Sequence, residues 1–227
     1  MRSDPTRSSQ TNRDPAEVAR KVALLHEPHI APLTAFVVQL RDQHGGGESV
    51  PWFDPTEAGI DARILALLEA PGAKATGAAG PRPKAKGSGF ISADNKDPTA
   101  DHVWHLLRDS GIDRRREYAA WNIVPWYVGD GRTIRQATPE DIEQARPALL
   151  ELLDLLPKLQ VVMLLGDAAQ KGWARAGVDR GLHVIRVRHP SPQWLHRYPN
   201  ARQELHDAFA RAKALSNAPQ RCRKPGA

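Results

Sequence analysis

Arg63-Ile64-Leu65-Ala66-Leu67-Leu68-Glu69-Ala70-Pro71-Gly72 is a short apolar run that ends in a carboxylate and a proline-glycine turn. Apolar side chains at successive positions, rather than alternate ones, mark a strand covered on both faces, as in parallel sheets. Further strand-like runs follow at 118–124, 160–165 and 183–187, with helix-like segments at 99–110, 139–156, 167–175 and 199–214. Strand, loop and helix in alternation predict an α/β fold, a three-layer α/β/α arrangement around a mostly parallel four-stranded sheet.

Upstream, Asp14-Pro15 supplies a cap followed by a proline, the usual start of a helix. A second helix is expected from Pro32 through Leu40, with Leu33, Phe36, Val37 and Leu40 as its apolar stripe and Gly45-Gly46-Gly47 as its stop. Residues 1–13, and a basic tail at 217–227, are too polar to repay the entropy of ordering and are read as disordered. That leaves 14–216 as one domain, with no internal repeat.

Composition narrows the function. The 227 residues hold 32 Lys and Arg against 26 Asp and Glu, a net charge of +6, and the pI is about 9.7. This balance favours a polyanionic partner such as nucleic acid. The single cysteine, Cys222, lies in the polar tail. One chain therefore builds no disulfide framework, cysteine zinc site or cysteine-ligated iron-sulfur cluster, which fits a reducing cytoplasm. Residues 1–15 lack the apolar centre of a signal peptide, and no apolar run approaches membrane-spanning length, so a soluble cytoplasmic protein is expected. No long heptad run calls for assembly, and a monomer is expected.

In a parallel sheet ligands bind beyond the carboxyl ends of the strands, so the loops there are where chemistry is sought. The first carries Glu69-Ala70-Pro71-Gly72 and then a basic, glycine-containing loop at 73–89. Glu69 can orient a water; the plainer alternative is a solvated glutamate before a turn. The second carries Trp121-Asn122-Ile123-Val124-Pro125-Trp126. The Asn122 carboxamide has donors and an acceptor in one plane, suited to a nucleobase edge, or else it ties down the loop backbone. The third carries His189-Pro190-Ser191-Pro192-Gln193-Trp194. His189 can donate to a developing anion and the residues after it can enter a DNA groove; the alternative is a proline-rich loop with an incidental histidine. All three loops would converge on one cleft.

Taken together and in order, these segments resemble the uracil-DNA glycosylase superfamily, most closely its family-four branch. The resemblance runs over 61–214. It rests on Glu69-Ala70-Pro71-Gly72, Gly89-Phe90, Asn122-Ile123-Val124, Thr138-Pro139-Glu140-Asp141-Ile142 through Arg146-Pro147, Leu165-Gly166-Asp167-Ala168-Ala169 and His189-Pro190-Ser191-Pro192. Two features depart from that branch: Leu68 stands where it has a glycine, and its cluster-ligating cysteines are missing. The chain thus resembles a cluster-free relative.

The resemblance implies a monofunctional glycosylase of base-excision repair that flips uracil out of single- or double-stranded DNA and leaves an abasic site. Glu69 and His189 would be catalytic, and Ala70, Pro71, Gly72, Phe90, Asn122 and Ser191 would hold the base, with Phe90 stacked on its face. Arg82, Lys84, Lys86, Pro190, Pro192, Gln193 and Trp194 would meet the DNA. No metal or other cofactor is expected, and no lysine is read as a second nucleophile for strand cleavage. The alternative is a damage-sensing or product-trapping module on the same fold. A small-molecule hydrolase has no support, since neither a Gly-x-Ser-x-Gly elbow nor a phosphate-binding glycine loop is present.

Overall fold

The structure, a computed structural model, describes residues 9–44, 49–76, 87–129 and 135–218. Gly45-Gly46-Gly47, Arg82, Lys84, Lys86 and Cys222 lie outside these residues, as does most of both tails.

Four parallel strands form the central sheet: β2 (Ile64–Leu68), β4 (Tyr118–Asn122), β5 (Val161–Leu165) and β6 (His183–Val187), in the order β4-β2-β5-β6. Every residue of β5, Val161 to Leu165, is completely buried, the consequence of a central strand covered on both faces. A second, two-stranded parallel sheet pairs β1 (Trp52–Phe53) with β3 (Phe90–Ile91). It packs on the first through Phe53, whose ring stacks on Trp121 at 3.8 Å.

The strand order dictates the layers. The chain passes from β2 to β4 through α3 (Pro98–Asp109), then recrosses β2 through α5 (Pro139–Asp154) to reach β5. Right-handed crossovers in opposite directions put α3 and α5 on opposite faces. α6 (Asp167–Ala176) lies beside α5 against β2 and β5, with α2 (Ala31–Gln43) also against α5. α8 (Ala201–Ser216) lies beside α3 against β5 and β6. The expected three-layer α/β/α architecture is therefore present.

Local signals set the helix starts. Asp97 accepts from the Thr99 and Ala100 amides at the head of α3, and Thr138 with Asp141 forms a capping box at the head of α5. Asp14 caps α1 (Pro15–Ala23) as its sequence suggests. The short helices α4 (Arg114–Glu117) and α7 (Pro192–Arg197) and the β1–β3 pair were not anticipated, because segments of two to six residues carry too little periodicity to read.

The described residues also include some before Asp14. Residues Thr11–Arg13 form a turn of 3-10 helix, and Asn12 is buried, its backbone amide donating to the Asp94 carbonyl and its side chain to Asn95. Those partners lie more than eighty residues away, so local polarity alone gave no sign of them. Among the described residues no helix is long and apolar enough to cross a membrane.

Candidate active site

The carboxyl end of the sheet brings the three loops together through backbone hydrogen bonds. Ile123 N donates to Leu68 O at 2.8 Å and Val124 N to Glu69 O at 3.0 Å, so the Asn122 and Glu69 segments advance side by side. Gly166 N donates to Val187 O at 2.9 Å, tying the head of α6 to the end of β6. Gly166 has φ +99°, and a Cβ there would lie 3.1 Å from the His189 Cβ. Glycine is required both for the turn and for the space His189 occupies.

A cavity of about 210 Å³ opens at this end of the sheet, and Ala70, Pro71, Gly72, Asn122 and His189 line it. Its opposite wall is the segment after β3, with Ser92, Asn95 and Asp97. Asn122 is 4% exposed, and its Nδ2 is buried without a hydrogen-bond partner among the described residues. Leaving a buried donor unpaired typically costs about 1–3 kcal/mol, which a structural asparagine would avoid. A tie for its own loop would use that nitrogen, and among the described residues it is unused. Burial also pushes the His189 imidazole below its ordinary value, with the Asp97 carboxylate opposing it, so near neutral pH the ring is uncharged.

A wider cleft of about 1210 Å³ lies on the other side of His189. Glu69, Ser191, Gln193 and Trp194 face it, together with the cations Lys171 and Arg175. Glu69 Oε1 accepts the Ala137 amide at 2.7 Å, which orients the carboxylate from the head of α5. Trp194 stacks on Tyr198 at 5.5 Å, and the Arg188 guanidinium sits 4.1 Å over that tyrosine. His189 is common to cavity and cleft.

A sequence profile of the uracil DNA glycosylase superfamily matches residues 55–213. The chain belongs to that superfamily. Membership in the uracil DNA glycosylase superfamily places it among DNA glycosylases, hydrolases that act on damaged bases in DNA. No curated protein matches the sequence. Among solved structures, wild-type SMUG2 of Pedobacter heparinus is similar at a TM-score of 0.48 and 16% identity, over 69% of this chain and 77% of that one.

Within this superfamily frame, the structure differs from the sequence reading at several residues. Phe90 is completely buried where β3 pairs with β1, so it presents no accessible face on which a base could stack. Its neighbour Ile91, pointing the other way along the strand, lines the cavity instead. Pro190 and Pro192 line neither space: the Pro190 carbonyl is bonded to His102, and Pro192 begins α7. Lys74 reaches the cavity wall, a lysine the sequence reading passed over. It is solvent-exposed, without the apolar enclosure that makes a lysine nucleophilic.

The largest feature missed in the sequence is a buried ionic cluster behind the cavity. Lys21 Nζ lies 2.6 Å from Asp54 and 3.0 Å from Asp94, and all three side chains are fully buried. Arg114 donates to Asp94 at 2.9 Å and reaches Glu57 at 3.5 Å. Burial alone would raise Asp94, but Arg114 and Lys21 hold its carboxyl well below the usual range. Burial pushes Glu57 up to about 8, so near neutral pH it is largely protonated and the cluster balances two cations against two anions. Ser92, on the cavity wall, donates to Asp54 at 2.5 Å, so the cluster fixes the wall opposite Asn122. Among the described residues no group of three or more His, Cys, Asp or Glu side chains is arranged to hold a metal ion.

Proposed function

We propose that the chain excises uracil from DNA by hydrolysing the N-glycosidic bond, leaving an abasic site in an intact strand. The observation that carries the reading is the buried Asn122 amide nitrogen, without a hydrogen-bond partner among the described residues, on the wall of the cavity that His189 also lines. A uracil in that cavity satisfies it: Asn122 Nδ2 donates to O4 while its oxygen accepts from N3-H. Cytosine offers a donor and an acceptor in the reverse order and leaves both edges unpaired, at about 1–3 kcal/mol for each buried group.

The base must leave the helix to reach this cavity, at a cost of a few kcal/mol that is smaller for a mispaired uracil. Lys171, Arg175, Gln193 and Trp194 line the cleft, and in this reading they would meet the backbone and flanking bases. As the glycosidic bond lengthens, negative charge collects on the uracil and positive charge on the sugar. His189 donates to O2 of the departing base, a neutral donor aimed at developing charge. Glu69, with one oxygen fixed by Ala137, orients the water that attacks C1′ and favours the cationic sugar. No residue needs to protonate the base.

Base selectivity tests the assignment. Asn122→Asp puts an acceptor where O4 needs a donor. It is expected to lower single-turnover uracil excision by roughly tenfold or more and to narrow the preference for uracil over cytosine, in line with about 1.4 kcal/mol per tenfold. Rates on matched uracil- and cytosine-containing oligonucleotides measure both. Unchanged rate and preference would remove Asn122 from base recognition.

A further inference from the structure

Catalysis at His189 depends on a turn whose backbone has few ties to the fold, although the Arg188 side chain is bonded to Glu204 at 3.0 Å. The end of β6 is held at Val187, whose carbonyl accepts from Gly166 N at 2.9 Å and from Gln170 Nε2 at 3.1 Å. α7 begins after Ser191, whose carbonyl accepts from Trp194 N and Leu195 N in the helix's own first turn. Between Val187 and Ser191 lie Arg188, His189 and Pro190. Proline has no amide hydrogen to give. Among the described residues, the backbone of 188–190 makes a single hydrogen bond to the rest of the fold, from His102 Nδ1 to the Pro190 carbonyl at 3.2 Å.

His102 belongs to α3, whose opening turns already form part of the cavity. Asp97, Thr99, Ala100 and Val103 line it, and Asp97 caps the helix with bonds of 2.8 and 3.0 Å. α3 is itself seated on α8. A carbonyl oxygen only accepts, so the hydrogen lies on His102 Nδ1, and the imidazole is a fixed donor in this contact. Its surroundings suit the neutral ring: burial pushes His102 below its ordinary value, Arg202, His206 and His105 act in the same direction, and the Pro190 bond opposes them.

We infer that His102 is a positioning residue for the glycosylase reaction, holding the Pro190 carbonyl so that the His189 imidazole stays enclosed between cavity and cleft. This rests on the excision reading for its effect on rate, although the loop contact can be tested without it. Misplacing a catalytic group by about 1 Å can cost on the order of a hundredfold in rate, while the DNA surface at Lys171, Arg175 and Gln193 is untouched by the change.

The test compares His102→Leu with His102→Asn in the full chain. Asparagine carries its amide nitrogen at the same branch point as Nδ1 and can remake the bond, whereas leucine fills the space without a donor. His102→Leu is expected to slow single-turnover excision of uracil by roughly ten- to a hundredfold, with its affinity for the same uracil oligonucleotide changed by less than about threefold. His102→Asn is expected to recover most of the rate. In an NMR titration the His189 midpoint should rise toward that of a solvated histidine in the leucine variant and stay low in the asparagine variant. A leucine variant with wild-type rate and His189 midpoint would overturn the inference, and so would an asparagine variant as impaired as leucine. If the wild type releases no uracil, the functional reading fails, and the His189 midpoints alone decide whether His102 holds the turn.

Discussion

His189→Ala is expected to slow single-turnover excision by roughly 10²–10³-fold, the usual cost of removing one preorganised donor to developing negative charge. The affinity for uracil-containing DNA should change by less than about threefold, because the interaction strengthens only as the bond breaks. The structure supports the asymmetry. His189 is uncharged near neutral pH, enclosed against Gly166, and set where cavity and cleft meet, so it adds little to the attraction for phosphates. Quenched single-turnover assays beside binding isotherms on the same oligonucleotide separate the two effects. Equal losses in rate and affinity would make His189 a binding residue instead.

Lys21→Met is expected to destabilise the fold by about 3–5 kcal/mol, since it strips one cation from a buried cluster and leaves Asp54 and Asp94 to share Arg114. For a chain of this size that corresponds to a fall in Tm of roughly 6–20 °C. The cluster also carries a pH signature. Glu57 has a folded value raised to about 8 from an ordinary value of 4.5, so the folded state binds more protons than the unfolded one between those limits. Stability contributed there is present below the lower limit and lost as pH rises through the upper one. Glu57→Gln, which keeps an acceptor for the Ala120 amide, should therefore gain on the wild type as pH climbs from 5 to 8. Thermal melts across that range check both variants, and a Lys21→Met melt within about 1 °C of wild type would contradict the cluster's structural role.

What could be read from the chain, and what could not, follows from the range of each interaction. β2 and β5 show themselves as apolar runs because a strand covered on both faces has no polar side, while β6, an edge strand with His183 and Arg186 exposed, was legible from its β-branched Val184, Ile185 and Val187, and the reading of 183–187 coincides with it. Glu69, Asn122 and His189 were legible because each stands at or just past a strand end, and the structure places Asn122 and His189 on one cavity and Glu69 on the adjoining cleft. Phe90 was misjudged for a different reason. Its position along the chain suited a base stack, but pairing of β3 with β1 turns the ring inward and leaves Ile91 on the cavity. The ionic cluster joins residues 21, 54, 57, 94 and 114, whose charges look like ordinary solvated side chains in the sequence. Only the tertiary fold shows that they are buried and that Ser92 hangs from them. His102 was equally silent, because its partner Pro190 is eighty-eight residues away.

A module that only senses damage would also be served by the Asn122 amide, whose nitrogen has no hydrogen-bond partner among the described residues. Excision, as proposed, would in addition draw on the Glu69 carboxylate and the uncharged His189 imidazole, which share the cleft, and a sensor has no need of that pair.

The most direct measurement is uracil release from a labelled oligonucleotide holding one uracil, single-stranded and opposite guanine or adenine, with a metal chelator present. The account predicts free uracil and an abasic strand that breaks only after alkali, fastest where the uracil is unpaired or opposite guanine. Tight binding without release, or release of a different base in preference to uracil, would contradict it.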